Sequence, residues 1–342
     1  MEPNDAAAAA PPSPELFWQT ITAFQRSAAM KAAIELDVFT KIDEGNKTAQ
    51  AIADACRAAE RGIRILCDTL TVMQFLTKES GQYDLNETSA AFLSRKSPTF
   101  IGDTINFIMS PMQRRGFDDL TNAVRRGGST ITDEGSLDPE SPMWVTFAQS
   151  MVPMMIPAAQ MMAANLDFPP DRKLKVLDIA AGHGIFGIFV ARQFPNAEIY
   201  AVDWANVLTA ATENARKFGV ADRHHLIPGS AFEVEYGDDY DVVLLTNFLH
   251  HFDQPTNEDL IRKIHRALND DGKVLTLEFV PNDDRVSPPS EAMFSLVMLA
   301  ATPAGDAYTF AELREMFENA GFAHSEHIPL APLPQHLIVS TK

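Results

Sequence analysis

The rhythm of hydrophobic and polar positions changes twice along the chain. From Leu16 to Leu93 apolar residues recur at helical spacing between short loops, and Lys47 to Leu93 reads as a helix, a turn, a second helix and a short hairpin over "FLTKES-GQYDL". That order is a winged-helix outline. Residues 94–140 are richer in Gly, Ser, Pro and Asp, as in "RRGGST" and "SLDPESP", and mark a connection. From Leu174 onward short β-branched runs, "KVLDIA", "EIYAVD", "HHLIPG", "YDVVLLT" and "KVLTLEF", alternate with helical stretches. Two more strands near "GFAHSEHIPL" and "QHLIVST" follow the helix "TFAELREMFENA". The predicted fold is α/β: a C-terminal Rossmann-like, doubly wound seven-stranded sheet preceded by an N-terminal, mainly helical winged-helix domain. The expected divisions are a disordered leader over 1–14, the winged-helix domain over 15–95, a helical linker and substrate-chamber segment over 96–165, and the sheet domain over 166–342. The uncharged run from Met143 to Leu166 has the length of a membrane span, yet Pro153, Pro157, Gln149, Gln160 and Asn165 make it a buried helix instead.

Charge narrows the partners. A formal net charge of −18 disfavours nucleic acid and anionic membrane surfaces and suits a cationic or neutral small ligand. The winged-helix segment lacks the basic face that phosphates require, so its apolar helices are expected to pack on a second copy in a homodimer. Cys56 and Cys67 lie in apolar helical stretches without a second ligand cluster, which fits buried thiols and a cytoplasmic, reducing location. The opening "MEPNDAAAAAPPSP" lacks the basic region of a signal peptide.

The strongest motif is "VLDIAAGHGIFG", a buried strand, a tight turn at Gly182 and Gly184, and a helix behind it. Glycine there lets a ligand approach the backbone, and the helix start offers free N–H groups. Gly182, Gly184 and Gly187 spell GxGxxG, which also marks dinucleotide folds, so a nicotinamide dehydrogenase is one rival reading. Asp178, four residues before Gly182, argues against a pyrophosphate and for an ammonium or sulfonium ligand. Asp203 ends the next strand, where an acid accepts hydrogen bonds from two ribose hydroxyls. Ser230 and Phe232, in "PGSAFE", are placed to meet an adenine.

Taken in order, "VLDIAAGHG", "AVDW", "GSAFE", "NFLHHFD" and "GKVLTLEF" resemble the class I S-adenosylmethionine-dependent methyltransferases, specifically the small-molecule O-methyltransferases with an N-terminal winged-helix dimerisation domain. The resemblance runs from about Leu16 to Lys342. It implies a cofactor site of Asp178, Ala180 and Gly182 at the methionine end, Asp203 and Trp204 at the ribose, and Gly229, Ser230, Ala231 and Phe232 around the adenine, with Asn247 nearby. Two departures are Ala180 where the family often has glycine and Ser230 where an aspartate is common. The family's Leu-His-Asp-Trp stretch falls on Leu249 to Phe252, which makes His250 the catalytic base and His251 a structural replacement for the usual Asp. Glu278 resembles the carboxylate that orients the base. A third departure is Ala307, which stands where the family commonly has a second supporting Glu, with Asp306 as the substitute beside it.

A neutral imidazole suits the removal of a phenolic proton, because its unperturbed pKa is close to the operating pH. Adjacent side chains after a strand are expected to diverge, so only one histidine should face the reacting groups. No metal is expected, since adjacent histidines rarely reach one ion and no paired ligand motif accompanies them. Most of the fourteen methionines cluster over the expected cofactor's methyl end, and Trp144, Phe147, Met151, Met154, Phe294 and Met298 are the expected walls of an apolar chamber for a small aromatic acceptor. The resulting expectation is methyl transfer to a hydroxyl oxygen. Nitrogen or carbon acceptors, a non-methylating enzyme on the same scaffold and a winged-helix regulator that senses the cofactor are the alternatives.

Overall fold

The computed structural model describes residues 12–131 and 141–342, so most of the expected leader and part of the expected connection lie outside the described residues. Two compact units divide after Gly102. The first unit holds residues 96–102 together with the span expected for the winged-helix domain.

In the first unit, α1 (Glu15–Ile21), α2 (Ala23–Glu35) and α3 (Val38–Asp43) precede the helix pair α4 (Ala49–Cys56) and α5 (Glu60–Val72), the hairpin β1 (Leu76–Glu79) and β2 (Gln82–Leu85), and α6 (Glu87–Phe92). Thr48 caps α4 by accepting the Ala51 N–H, and α5 buries Ile63, Cys67 and Leu70, one stripe of a helix. Ser80 and Gly81 both take positive φ, the conformation that matches a two-residue hairpin turn to strand twist. Tyr83 is buried and donates to the Asp68 carboxylate, tying the wing to α5. Cys67 is buried and Cys56 half-buried, and both are free. Leu16, Phe17, Trp18, Ile21 and Phe24 on α1 and α2 stay exposed.

The second unit begins with α7 (Ile105–Ile108), α8 (Pro111–Asp118), α9 (Leu120–Arg126), α10 (Pro142–Ser150) and α11 (Val152–Ala164). The single buried helix expected from Met143 to Leu166 is two helices. Pro153 has no N–H to donate into a preceding turn, so the chain leaves helical geometry near Met151 and restarts with proline in the first turn of α11. The sheet follows, with β3 (Leu174–Ile179), α12 (Ile185–Gln193), β4 (Ala197–Asp203), α13 (Leu208–Lys217), β5 (His224–Pro228), β6 (Tyr240–Thr246), α14 (Gln254–Ala267), β7 (Leu268–Phe279), α15 (Pro289–Ala301), α16 (Phe310–Asn319), β8 (His324–Pro329) and β9 (Gln335–Thr341). Strand order is β5-β4-β3-β6-β7-β9-β8, parallel except where β9 runs antiparallel to both neighbours. One face is covered by α11 and α12, the other by α14 and α16. Because order reverses at β3, the crevice at the carboxyl ends of β3, β4 and β6 is where such a sheet binds ligand. Among the described residues no helix is long and apolar enough to cross a membrane.

Candidate active site

The turn after β3 carries three left-handed residues in five, Ala180 at φ 53°, Gly182 at 56° and Gly184 at 72°. Ala180 takes that conformation with a Cβ, a strain of about 1–2 kcal/mol that a glycine there would relieve. At Gly182 a Cβ would meet nothing closer than 3.8 Å, from Ala180 and Phe147, so the turn leaves a cradle along its backbone. At Gly187 a Cβ would stand 2.6 Å from Ile199 and 2.8 Å from the Asp178 carboxylate. Glycine is therefore required for α12 to seat on the sheet.

Asp178 is wholly buried against that first turn of α12, where Oδ2 accepts the Gly187 N–H at 3.0 Å. Its Oδ1 has no partner among the described residues, and burial pushes the carboxyl up to about 7. Asp203, at the end of β4, holds the glycine turn itself, with Oδ2 accepting from Gly182 N–H at 2.8 Å and Oδ1 from Trp204 N–H at 2.7 Å. Each oxygen keeps a further lone pair for a hydroxyl. Burial outweighs those two bonds and raises the Asp203 carboxyl to about 6. Between the glycines, the His183 Nδ1 accepts the Ile185 N–H while its ring stacks on Phe147, and burial pushes it down to about 4.

Past β5, the Gly229 N–H bonds to the Asp203 carbonyl and Ser230 Oγ accepts the Phe232 N–H, so the turn folds back toward β4. Phe232 packs its ring on Phe252 and Phe248. A residue that sequence reasoning missed organises this turn: Lys263 on α14 donates to the carbonyls of Ala231, Phe232 and Val234 and sits 4.1 Å over Tyr236. Asn247 follows β6 at φ 51°, its buried Oδ1 without a partner among the described residues.

His250 and His251 share one 3-10 turn, Leu249–His251. His250 Nδ1 lies 2.5 Å from Glu278 Oε2, while Glu278 Oε1 accepts the Phe248 N–H at 2.9 Å and the His250 N–H at 3.4 Å. Both side chains are buried. A carboxylate only accepts, so the proton sits on Nδ1 and Nε2 is left as the basic atom. The two rings do not diverge as expected of strand-end neighbours. A tight helical turn presents them side by side, centroids 4.2 Å apart. Asp306 does not replace the family's second Glu: its carboxylate turns to Arg285 and to the N–H of the buried Ala307. Gly305 instead backs the turn, where a Cβ would fall 2.2 Å from the His250 carbonyl.

Ring contacts bring Trp144 to His251, Phe147 to His183 and Phe294 to His250. Met298 is buried on α15, the helix of Phe294. The break before α11 turns Met151 into the core beside Met155 and leaves Met154 outside. Among the described residues no three His, Cys, Asp or Glu gather as a metal set.

Residues 18–95 match the O-methyltransferase dimerisation domain, and residues 141–323 match the O-methyltransferase domain. The chain belongs to the O-methyltransferase family. Over 90% of its length it is 26% identical to the 3-hydroxy-5-methyl-1-naphthoate 3-O-methyltransferase of Streptomyces sahachiroi, covering 89% of that protein. It is 56% identical to a candidate O-methyltransferase of Nostoc punctiforme PCC 73102, covering 97% of this chain and 100% of that one at a TM-score of 0.93. Human N-acetylserotonin methyltransferase, solved with S-adenosylmethionine, shares the fold at 20% identity and a TM-score of 0.86, over 98% and 99% of the two chains. As an O-methyltransferase the protein uses S-adenosylmethionine, and the cradle at Gly182, the spare lone pairs of Asp203 and the unpartnered Asn247 Oδ1 fit such a ligand.

Proposed function

We propose that a homodimer of this chain moves a methyl group from S-adenosylmethionine to a hydroxyl oxygen of a small aromatic metabolite. The observation that carries this reading is the buried His250 and Glu278 pair, in which Glu278 engages Nδ1 and leaves Nε2 free of the carboxylate. When bound, S-adenosylmethionine supplies an electrophilic methyl on a sulfonium. Gly182 and Ala180 give backbone to its methionine portion, Asp203 accepts the ribose hydroxyls beside Trp204, and Gly229, Ser230, Ala231 and Phe232 line the adenine. Asp178 supports the turn from behind, and Asn247 Oδ1 offers a buried acceptor to the ligand.

His250 Nε2 takes the acceptor's hydroxyl proton as the oxygen attacks, and Glu278 stabilises the resulting imidazolium. Trp144, Phe147, Phe294 and Met298 present aromatic and thioether surface to a flat ring and exclude water. Alignment of oxygen and methyl within these walls supplies much of the acceleration. The aromatic acceptor named for the Streptomyces sahachiroi relative is of the same chemical class. The exposed apolar residues of α1 and α2 support a dimer, and the free thiols fit a cytoplasmic location.

Incubation with S-adenosylmethionine and a panel of phenols, read by mass spectrometry, tests the proposal. Aryl methyl ethers and equimolar S-adenosylhomocysteine are expected. Methyl on carbon or nitrogen, or none transferred to any phenol, would refute it.

A further inference from the structure

The second histidine has chemistry of its own. His251 Nδ1 lies 3.2 Å from the Phe248 carbonyl oxygen, which can only accept, so Nδ1 carries the ring proton. His250 Nδ1 is committed in the same sense by the Glu278 carboxylate. Both Nε2 atoms are therefore lone-pair acceptors. Neither has a hydrogen-bond partner among the described residues, and both residues keep a little accessible surface, 5% for His250 and 8% for His251. Burial and the neighbouring His250 hold the His251 pKa well below its ordinary value, which keeps it an acceptor. The two rings are 4.2 Å apart and tilted by only 32°, flanked by Trp144 on the His251 side and Phe294 on the His250 side.

We propose that these paired imidazoles select an aromatic ortho-diol, His250 Nε2 accepting one hydroxyl and His251 Nε2 its neighbour. The inference rests on His250 being the base of the proposed reaction. Two acceptors on rings in van der Waals contact require two donors that leave the ligand close together. The C–O bonds of adjacent ring positions diverge half as much as those of meta positions, so an ortho pair reaches both acceptors while a meta pair splays past them. A single phenol satisfies one Nε2 and leaves the other facing an apolar ring, which costs binding. The hydroxyl on His250 is the one that loses its proton and is methylated. The hydroxyl on His251 stays free and fixes the orientation of the ring, so the product is a mono-ether.

The test is calorimetry on the full chain loaded with S-adenosylhomocysteine, titrated with a naphthalene ortho-diol, the meta-diol and the single naphthol. Wild type should bind the ortho-diol about fivefold or more tighter than either competitor, the value of one neutral hydrogen bond. His251→Leu should abolish that preference, and His251→Gln, which keeps an acceptor, should restore part of it. Equal binding of diol and naphthol by wild type, or an undiminished preference in His251→Leu, would overturn the proposal. The wild-type series stands even if a variant fails to fold. An ortho preference without methylation of any ligand would uphold the paired acceptors and sink the methyl-transfer reading, whereas methylation of the naphthol without an ortho preference would do the reverse.

Discussion

Replacing Glu278 by Gln separates the two tasks that this side chain performs. In the native site one carboxylate oxygen accepts the Phe248 and His250 backbone N–H groups, and the other fixes the imidazole proton on Nδ1. A glutamine carbonyl can still hold the backbone, but its NH2 group then faces Nδ1 and is satisfied only if the ring moves its proton to Nε2. The atom that should take the hydroxyl proton becomes a donor. General-base catalysis contributes about 10²–10⁴ in rate, so kcat for a weakly acidic phenol should fall roughly a hundredfold or more. Exchange of a charge-assisted bond for a neutral one should cost about 1 kcal/mol of stability. Glu278→Ala adds a different penalty, since two N–H groups lose their acceptor in a buried turn at about 1–3 kcal/mol each. Initial rates by mass spectrometry, thermal melts and the Kd for S-adenosylhomocysteine distinguish these effects. A Glu278→Gln enzyme with wild-type kcat would refute the assigned tautomer.

Four further outcomes are expected. Asp203→Ala should weaken S-adenosylmethionine binding by about 2 kcal/mol or more, and calorimetry showing unchanged affinity would remove its role. The Asp203 carboxyl is raised to about 6 in the free protein and the ligand favours its ionised form, so affinity should be full above that value and fall as pH drops through it. Asp203→Asn should flatten this profile. Light scattering should find a dimer at micromolar concentration, converted to monomer by charged residues at Phe17 and Trp18, whereas a wild-type monomer would contradict the role given to α1 and α2. Ala180→Gly should raise the melting temperature because it relieves a left-handed alanine, and a lower one would mean that chain entropy outweighs the strain.

The parts of this molecule that follow from local rules were legible in its sequence. Seven strands stood out because β-branched runs are bounded by Gly, Asp or Pro, and the wing followed from Ser80 and Gly81 between two short runs. His250 with Glu278 was legible only through motif order, since the two lie 28 positions apart and their bond forms where β6 and β7 pair. Lys263 left no local signal: its partners are 29–32 residues earlier, and a lysine on an amphipathic helix reads as solvated. The break at Met151 was hidden by continuous apolarity, and Met151 is buried while Met154 stays exposed. Asp306 looked like a spare acid by position, but Arg285, 21 residues earlier, claims it.

Removal of the base tests the central claim most directly. With a weakly acidic phenol, His250→Ala should lose about a hundredfold or more in turnover while its affinity for S-adenosylhomocysteine stays near wild type. A phenol already ionised at the assay pH needs no base, so turnover of the variant should recover as acceptor pKa falls. Full activity without His250, or a loss of the same size across the whole phenol series, would show that the "NFLHHFD" turn only positions the acceptor and that His250 takes no proton.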